Sequence, residues 1–447
     1  MESTERQREY VLRTVEERGV RMVWLWFTDV LGGLKSLTIS PAELENAFDG
    51  GMRFDGSSID GFSRVQESDV LAIPDPNSFE ILPWAGDVNT TARMFCDIAN
   101  LDGSPFEGDP RQVLRRNLDR ARERGFSFYA APEMEFFYFA DGDSSHEPKP
   151  LDGASYFDLT TADAATDLRQ RTIHTLEAMG IPVEYSHHED GPSQHEIDLR
   201  YTDALTMADN VMTFRLAVKE VAYSAGVHAT FMPKPLTGVQ GSGMHTHFSL
   251  FEGDTNAFYD PGDDRKLSKV ARGFIAGLLR HSREITAVTN QWINSYKRLV
   301  VGFEAPIYTS WAANNRSVIV NLPPIKHGKA ESARIEYRAP DSACNPYLAF
   351  SVILAAGLKG LEDGYELPSE TAVNLYQLTP EERMAEGIDT LPQSLSEALD
   401  TMEESELVAD ALGEHVFEWF IRNKRNEWLD YKAQVSQFEL DRYLTRL

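Results

Sequence analysis

The chain is 447 residues long, with 42% hydrophobic and 25% charged residues; this excludes collagen-like and wholly disordered chains and leaves room for two or three domains. Its net charge of −27 at pH 7 argues against nucleic acid and anionic membrane as partners, and against nucleotides unless arginines or cations reverse the field locally. Two cysteines, Cys96 and Cys344, exclude a disulfide framework or a cysteine zinc site and point to a reducing, cytoplasmic setting. The longest apolar runs, such as Leu348 to Leu358, are too short to span a bilayer, and the start MESTERQREY has no apolar signal region.

In chain order, residues 4–18 read as a helix with Val11, Leu12 and Val15 on one face. RMVWLWFT (21–28) and 34–39 read as strands around a turn, FDGSSIDGFSR (54–64) as a loop, and TARMFCDI (91–98) as a further strand. The first hundred residues thus form a small α+β unit. GSPFEGDP (103–110) marks a boundary, giving domains 1–105 and 106–447. Helices are expected at 111–124, 161–179, 207–225 and 268–289. Strands are expected at 128–139, 181–189, 195–201, 228–234, 244–251 and 334–338. In the tail, Ser394 and Glu397 form a capping box, Thr379-Pro380 starts another helix, and 405–445 is amphipathic and aromatic, suited to a core or to a neighbouring subunit.

Four strand-like segments repeat one pattern. Residues i and i+2 of a strand share a face. Glu133 and Glu135, Glu196 and Asp198, His245 with His247 and Ser249, and Arg334 with Glu336 and Arg338 are all so spaced. Any half-exposed antiparallel strand alternates, but here the polar face is Glu, His and Arg, with no Lys, four times over. Carboxylates with one or two imidazoles suit Mg2+ or Mn2+ better than zinc. With Glu189 of HHEDGPSQHE, the candidate ligands are Glu133, Glu135, Glu189, Glu196, His245 and Glu336. Arg298, Arg316, Arg334 and Arg338 suit bidentate contact with carboxylate and phosphate. Metal and arginine together in an acidic chain point to phosphoryl transfer onto an acidic substrate. Asp55, Ser57 and Ser58 sit on a Gly/Ser loop, and Glu304 sits between a glycine and a proline, as in a lid. GVQGSGMH (238–245) lacks the phosphate-loop lysine and the dinucleotide spacing, but its glycines allow close backbone approach to a ligand.

FDGSSIDGF, PEMEFF, SHHE with GPSQHEIDL, FMPKPL with GSGMHTHFSLF, NSYKRLVVGFEAP, NNRS and RIEYRAPDSACNPYLA resemble the bacterial type I glutamine synthetase family, in its short α form, from about residue 8 to 445. The resemblance implies an α+β fold with an N-terminal β-grasp domain and a catalytic domain whose curved antiparallel sheet is flanked by helices. It implies a homo-oligomer of two stacked hexameric rings, with sites between neighbours and the C-terminal segment inserted into the opposite ring. It implies ATP and two Mg2+ or Mn2+ ions as cofactors, and ligation of glutamate to ammonia through γ-glutamyl phosphate.

By motif, one ion is implied on Glu135, Glu189 and Glu196 and the other on Glu133, His245 and Glu336. ATP is implied on Glu184, His247, Ser249 and Arg316, and glutamate on Gly241, Arg298 and Arg338. The ammonium pocket is implied to comprise Asp55 and Ser58 of a neighbour with Tyr156, Glu189 and Glu304. Arg316 and Arg338 are implied to stabilise the transferring phosphoryl group, Asp55 to act as base, and Glu304 to close the site. The chain departs from the family's motifs at Asp190-Gly191, Gln240, Val301, Phe303 and Asn321, the last standing where an arginine is usual. NLYQL (374–378) is similar to the adenylylation segment at Tyr376, and Arg64 matches an arginine tied to feedback control. Two alternatives remain open at this point: a γ-glutamyl ligase for a larger amine such as a polyamine or ethanolamine, and a non-catalytic oligomeric homologue.

Overall fold

The computed structural model describes residues 2–62, 69–86, 90–159, 165–301, 305–313, 315–326, 328–371 and 373–447. Six strands, β1 (Met22–Thr28), β2 (Leu34–Ile39), β3 (Met52–Asp55), β4 (Asp69–Pro74), β5 (Glu80–Ile81) and β6 (Thr91–Ala99), form one sheet in the order β2-β1-β6-β4-β3, with β5 on β6. β1 and β6 run parallel at its centre and their outer neighbours antiparallel. This is the β-grasp arrangement, with Val11, Val15, Leu44 and Phe48 of two helices packed into the core of the sheet.

Ten further strands form a curled sheet. They are β7 (Ser127–Phe139), β8 (Val183–His188), β9 (Gln194–Leu199), β10 (Thr202–Asp203), β11 (His228–Thr230), β12 (Met244–Glu252), β13 (Thr255–Asn256), β14 (Tyr308–Ala313), β15 (Val318–Leu322) and β16 (Ile335–Tyr337). The main order is β14-β15-β16-β12-β7-β9-β8, antiparallel except for the parallel β14–β15 pair. Met134, Phe136, Ile197, Phe248 and Tyr337 point to one face and join the core with the helices Ala204–Ser224, Lys269–Thr289 and Pro346–Glu362. Period-two alternation therefore sends the intervening Glu and His residues to the other face.

The sequence-based elements recur with small shifts. Residues 160–164 of the expected 161–179 helix lie outside the described residues; the helix itself spans Thr166–Ala178. The expected 334–338 strand is shortened to β16, so Arg334 and Arg338 flank it. Thr379 forms a full capping box with Glu382. At Ser394 only half the box exists: its hydroxyl accepts from Glu397 N, but the Glu397 carboxylate accepts from Gln393 N instead. β3, β4, β14 and β15, and the two-residue β5, β10 and β13, lie outside the sequence-based strands. Among the described residues no helix is long and apolar enough to cross a membrane.

The two sheets are joined by polar links. Asn345 caps the helix Pro346–Glu362 with its side-chain oxygen and donates from Nδ2 to Asp29 O and Val30 O, both at 3.2 Å. Arg111 donates to both carboxylate oxygens of Asp209 and also to Asp97 and Asp75. A guanidinium is the one side chain whose fork can serve three carboxylates at once.

Candidate active site

Register turns the alternation into rows. Tyr185, Asp198, Glu133 and His245 lie opposite one another across β8, β9, β7 and β12. His187, Glu196 and Glu135 form the next row, and His247, Glu336 and Asn321 a third across β12, β16 and β15. All of these residues but His187 line a cavity of about 830 Å³. Its walls bring together Glu133, Glu135, Tyr156, Glu184, Glu189, Glu196, Gly241, His245, His247, Ser249, Arg298, Arg316, Glu336 and Arg338. Asp55, at the end of β3, and Ser58, in the turn after it, are exposed and do not line it, while Glu304 and Arg64 lie outside the described residues.

The glycines of the 238–245 loop have a steric reason. A Cβ on Gly241 would lie 2.2 Å from Pro233 O and 2.9 Å from Arg298 Cγ; one on Gly243 would lie 2.9 Å from His245 Nε2. Gly243 N in turn donates to Glu135 Oε2 at 2.9 Å. Arg298 is held by two backbone carbonyls, those of Ala339 and Arg338. Tyr156 hydrogen-bonds Arg316.

Two acidic clusters have ligand atoms within 4.8 Å of one another: Glu133, His245 and Glu336, and His187, Glu189 and Glu196. The first is the triad implied by motif. In the second, His187 takes the place expected for Glu135, whose Oε2 is occupied by Gly243 N and Gln194 Nε2. His187 was singled out by no sequence signal beyond its i+2 spacing to Glu189. Asp198, noted by its spacing to Glu196 but given no role there, also lines the cup, with Oδ1 buried and without a hydrogen-bond partner.

Electrostatics divide the carboxylates. Burial and the charge of Glu189 push Glu135 up to about 8, and burial and Glu133 push Asp198 up to about 7. Burial, Asp198 and Glu133 raise Glu196 well above its ordinary value. Burial would raise Glu133 too, but hydrogen bonds with His245 and His247 hold it well below the usual range. Arg338, with Nη1 2.6 Å from Glu336 Oε1, likewise outweighs burial and lowers Glu336. Burial and Arg338 lower His245, leaving a neutral imidazole of the kind a metal ligates. An oxygen-rich donor set with one imidazole, carrying excess negative charge and a buried unpaired carboxylate oxygen, fits hard divalent cations.

Family comparison agrees with this chemistry. A model described as glutamine synthetase, catalytic domain, matches residues 107–443, and one for the glutamine synthetase beta-Grasp domain matches 19–101. The chain is 59% identical over 444 residues to a glutamine synthetase of Mycolicibacterium smegmatis, covering 99% of this chain and 100% of that one. The chain belongs to the glutamine synthetase family.

A glutamine synthetase of Thermotoga maritima is 48% identical over 438 residues, covering 98% and 99% of the two chains. The cryo-electron-microscopy structure of Plasmodium falciparum glutamine synthetase superposes with a TM-score of 0.90 at 25% identity, covering 98% of each chain. A GmaS/ADP complex superposes with a TM-score of 0.87 at 31% identity, covering 97% and 99%. Glutamine synthetases are ATP-dependent and use divalent metals. These relatives favour neither the larger-amine ligase nor the non-catalytic homologue.

Among the departures from the family's motifs, Asn321 donates from Nδ2 to Glu336 Oε2 at 2.6 Å, and Gln240 to Asp190 Oδ2 at 3.1 Å. The Tyr376 hydroxyl donates to Ala305 O at 2.9 Å.

Proposed function

We propose that this chain joins L-glutamate and ammonia into glutamine at the expense of ATP, through γ-glutamyl phosphate, with two Mg2+ or Mn2+ ions at each site. The observation that carries this reading is the cup of Glu and His rows, bordered by Arg298, Arg316 and Arg338, in a member of the glutamine synthetase family.

Glu133, His245 and Glu336 would hold one ion, and Glu189 and Glu196, with Glu135 or His187, the other. Bound there, divalent ions neutralise the ATP phosphates and polarise the phosphoryl group. Glu184, His247, Ser249 and Arg316 hold the nucleotide, while Arg298, Arg338 and Gly241 hold glutamate. A γ-carboxylate oxygen of glutamate attacks the γ-phosphorus, the bond to the β,γ-bridging oxygen breaks, and ADP leaves. Arg316 and Arg338 balance the charge spread over the transferring group.

The acyl phosphate is then attacked at its carbonyl carbon by ammonia, and phosphate leaves. Tyr156, Glu189 and Ser58 frame the ammonium pocket. Asp55 takes the proton that turns ammonium into ammonia, and Glu304 covers the labile intermediate and accepts the second proton.

Asp55 and Ser58 reach this cavity from a neighbouring copy, in a dodecamer of two hexameric rings, with each chain divided near residue 105. Their exposure away from the chain's own cavity, and the exposed Phe438, Leu444 and Leu447 at the C-terminus, support that assembly. Free, buried Cys96 and Cys344 suit a cytoplasmic setting. Subunit mixing tests the shared site. Asp55→Ala and Arg338→Ala oligomers, each inactive, regain activity when dissociated and co-assembled; no recovery in mixed oligomers of normal size contradicts it.

A further inference from the structure

Behind the cup, on the core-facing side of β8 and β9, lies a buried polar knot that the reaction described above does not use. Asp152 and His188 have 2% and 0% side-chain exposure, and His188 Nε2 lies 3.0 Å from Asp152 Oδ1. His188 Nδ1 lies 2.5 Å from the carbonyl oxygen of Glu189, so both ring nitrogens face oxygen acceptors. Asp152 is tied a second time to the turn after Glu189: Ser193 N donates to Asp152 Oδ1 at 2.9 Å, and Asp152 N donates to Ser193 Oγ at 2.9 Å. One turn further along, Phe157 N donates to His188 O at 3.0 Å.

Asp152, His188 and His195 also have ligand atoms within 4.8 Å of one another. A cation there is disfavoured. Arg169 Nη1 lies 2.7 Å from His195 Nδ1, and because arginine only donates, the ring proton of a neutral His195 sits on Nε2, the nitrogen a metal would need.

Backbone conformation singles out the same place. Among the described residues three non-glycine residues have positive φ, and two of them, Phe157 (61°) and Ser193 (56°), sit at the ends of this knot. A bulky aromatic residue in the left-handed region is costly and persists where its surroundings over-determine it. The product of the strain is placement: Tyr156 and Glu189 both line the cavity, from two segments 33 residues apart in the chain that touch through Asp152, His188 and Ser193.

We propose that Asp152 and His188 are positioning residues for the acceptor amine, locking the 152–157 loop against the 189–193 turn so that Tyr156 and Glu189 face each other across the ammonium pocket. This rests on the ammonia-ligase reading above. A clamp of this kind acts on one substrate. Arg298, Arg338 and Gly241 for glutamate and His247, Ser249 and Arg316 for ATP lie on other segments, and Glu184 lies at the far end of β8 from His188, so loosening the clamp disturbs their binding least, whereas a displacement near 1 Å of a positioning group costs up to about 10²-fold.

The test uses ADP release by the full-length oligomer, titrating ammonium, glutamate and ATP in turn. In Asp152→Ala the ammonium KM rises roughly tenfold or more, with glutamate and ATP KM within about twofold of wild type. Ser193→Gly, which relieves the positive φ and keeps the fold, removes only the Oγ leg and raises the ammonium KM a few-fold. In a Tyr156→Phe background the Asp152→Ala effect on ammonium KM shrinks, because the two residues act through one unit. An unchanged ammonium KM in Ser193→Gly or Asp152→Ala, or equal rises for all three substrates, overturns the proposal. Wild-type protein that turns over only with a larger amine refutes the ammonia reading instead, and the clamp is then judged by the KM of that amine.

Discussion

Glu133 and Glu135 lie two residues apart on β7 and face the same cavity, yet are pulled toward opposite protonation states. Two histidines hold the first well below the usual carboxylate range; burial and Glu189 push the second up to about 8. Divergent pKa values among neighbouring acids are a mark of sites that handle charge.

Metal affinity should therefore depend on pH with a definite sign. Without a cation, Glu135 and Asp198 titrate near 8 and 7, and Glu196 is also raised. A cation must displace these protons, so Mn2+ binding tightens as pH rises from 6 to 8 and releases protons. Calorimetry in buffers of different ionisation enthalpy measures both. Asp198→Asn removes a like charge that raises Glu196, so the rise in affinity shifts to lower pH. Affinity independent of pH over this range contradicts the electrostatic account of the cup.

Arg111 joins the β-grasp sheet to the helices behind the curled sheet through Asp75, Asp97 and Asp209. Arg111→Met takes two hydrogen bonds and the ion pair from buried Asp209, leaving it the Tyr347 hydroxyl, and leaves Asp75 and Asp97 to Arg115; the cost is up to about 3–5 kcal/mol. Burial would raise Asp75, but Arg111, joined by Arg115 and Asn77 N, outweighs it and lowers the pKa. A depressed folded-state pKa gives stability that is present above the unfolded value and lost as pH falls through the folded one. The stability gap between wild type and variant is thus full near pH 7 and narrows below about pH 4. Melting temperatures across pH report it, and a gap of constant size counts against this role for Arg111.

Gly241 is expected to act through Arg298. A Cβ 2.2 Å from Pro233 O and 2.9 Å from Arg298 Cγ forces the loop or the guanidinium aside. Gly241→Ala raises glutamate KM roughly tenfold or more and changes Mn2+ binding far less, since of residues 238–245 only His245, already on β12, belongs to a cation cluster. Isothermal titration and initial rates separate the two effects.

Much of this site was legible in the chain because strand geometry has a period of two. EME, HEID and HTH each had to put their polar residues on one face. Register was not legible. Nothing in those segments says that Glu133 stands opposite both His245 and Asp198, or that His187 stands opposite Glu196. Nor do they say that Gly243 N and Gln194 Nε2 take up Glu135 Oε2, and His187 stands in the cluster where Glu135 was expected. β15 escaped for the opposite reason: VIVNL is a short, nearly continuous apolar run with no alternation to mark it. The tie between Asp152 and His188, 36 residues apart, has no local sequence signal at all.

The most direct test of the central claim is ADP formation across an amine panel, with L-glutamate, ATP and Mg2+ or Mn2+ held fixed. The account predicts turnover with ammonium that requires glutamate and metal, with glutamine as product, and little with putrescine, spermidine or ethanolamine. Turnover confined to one of the larger amines, or none with any amine in a well-formed oligomer, would contradict it.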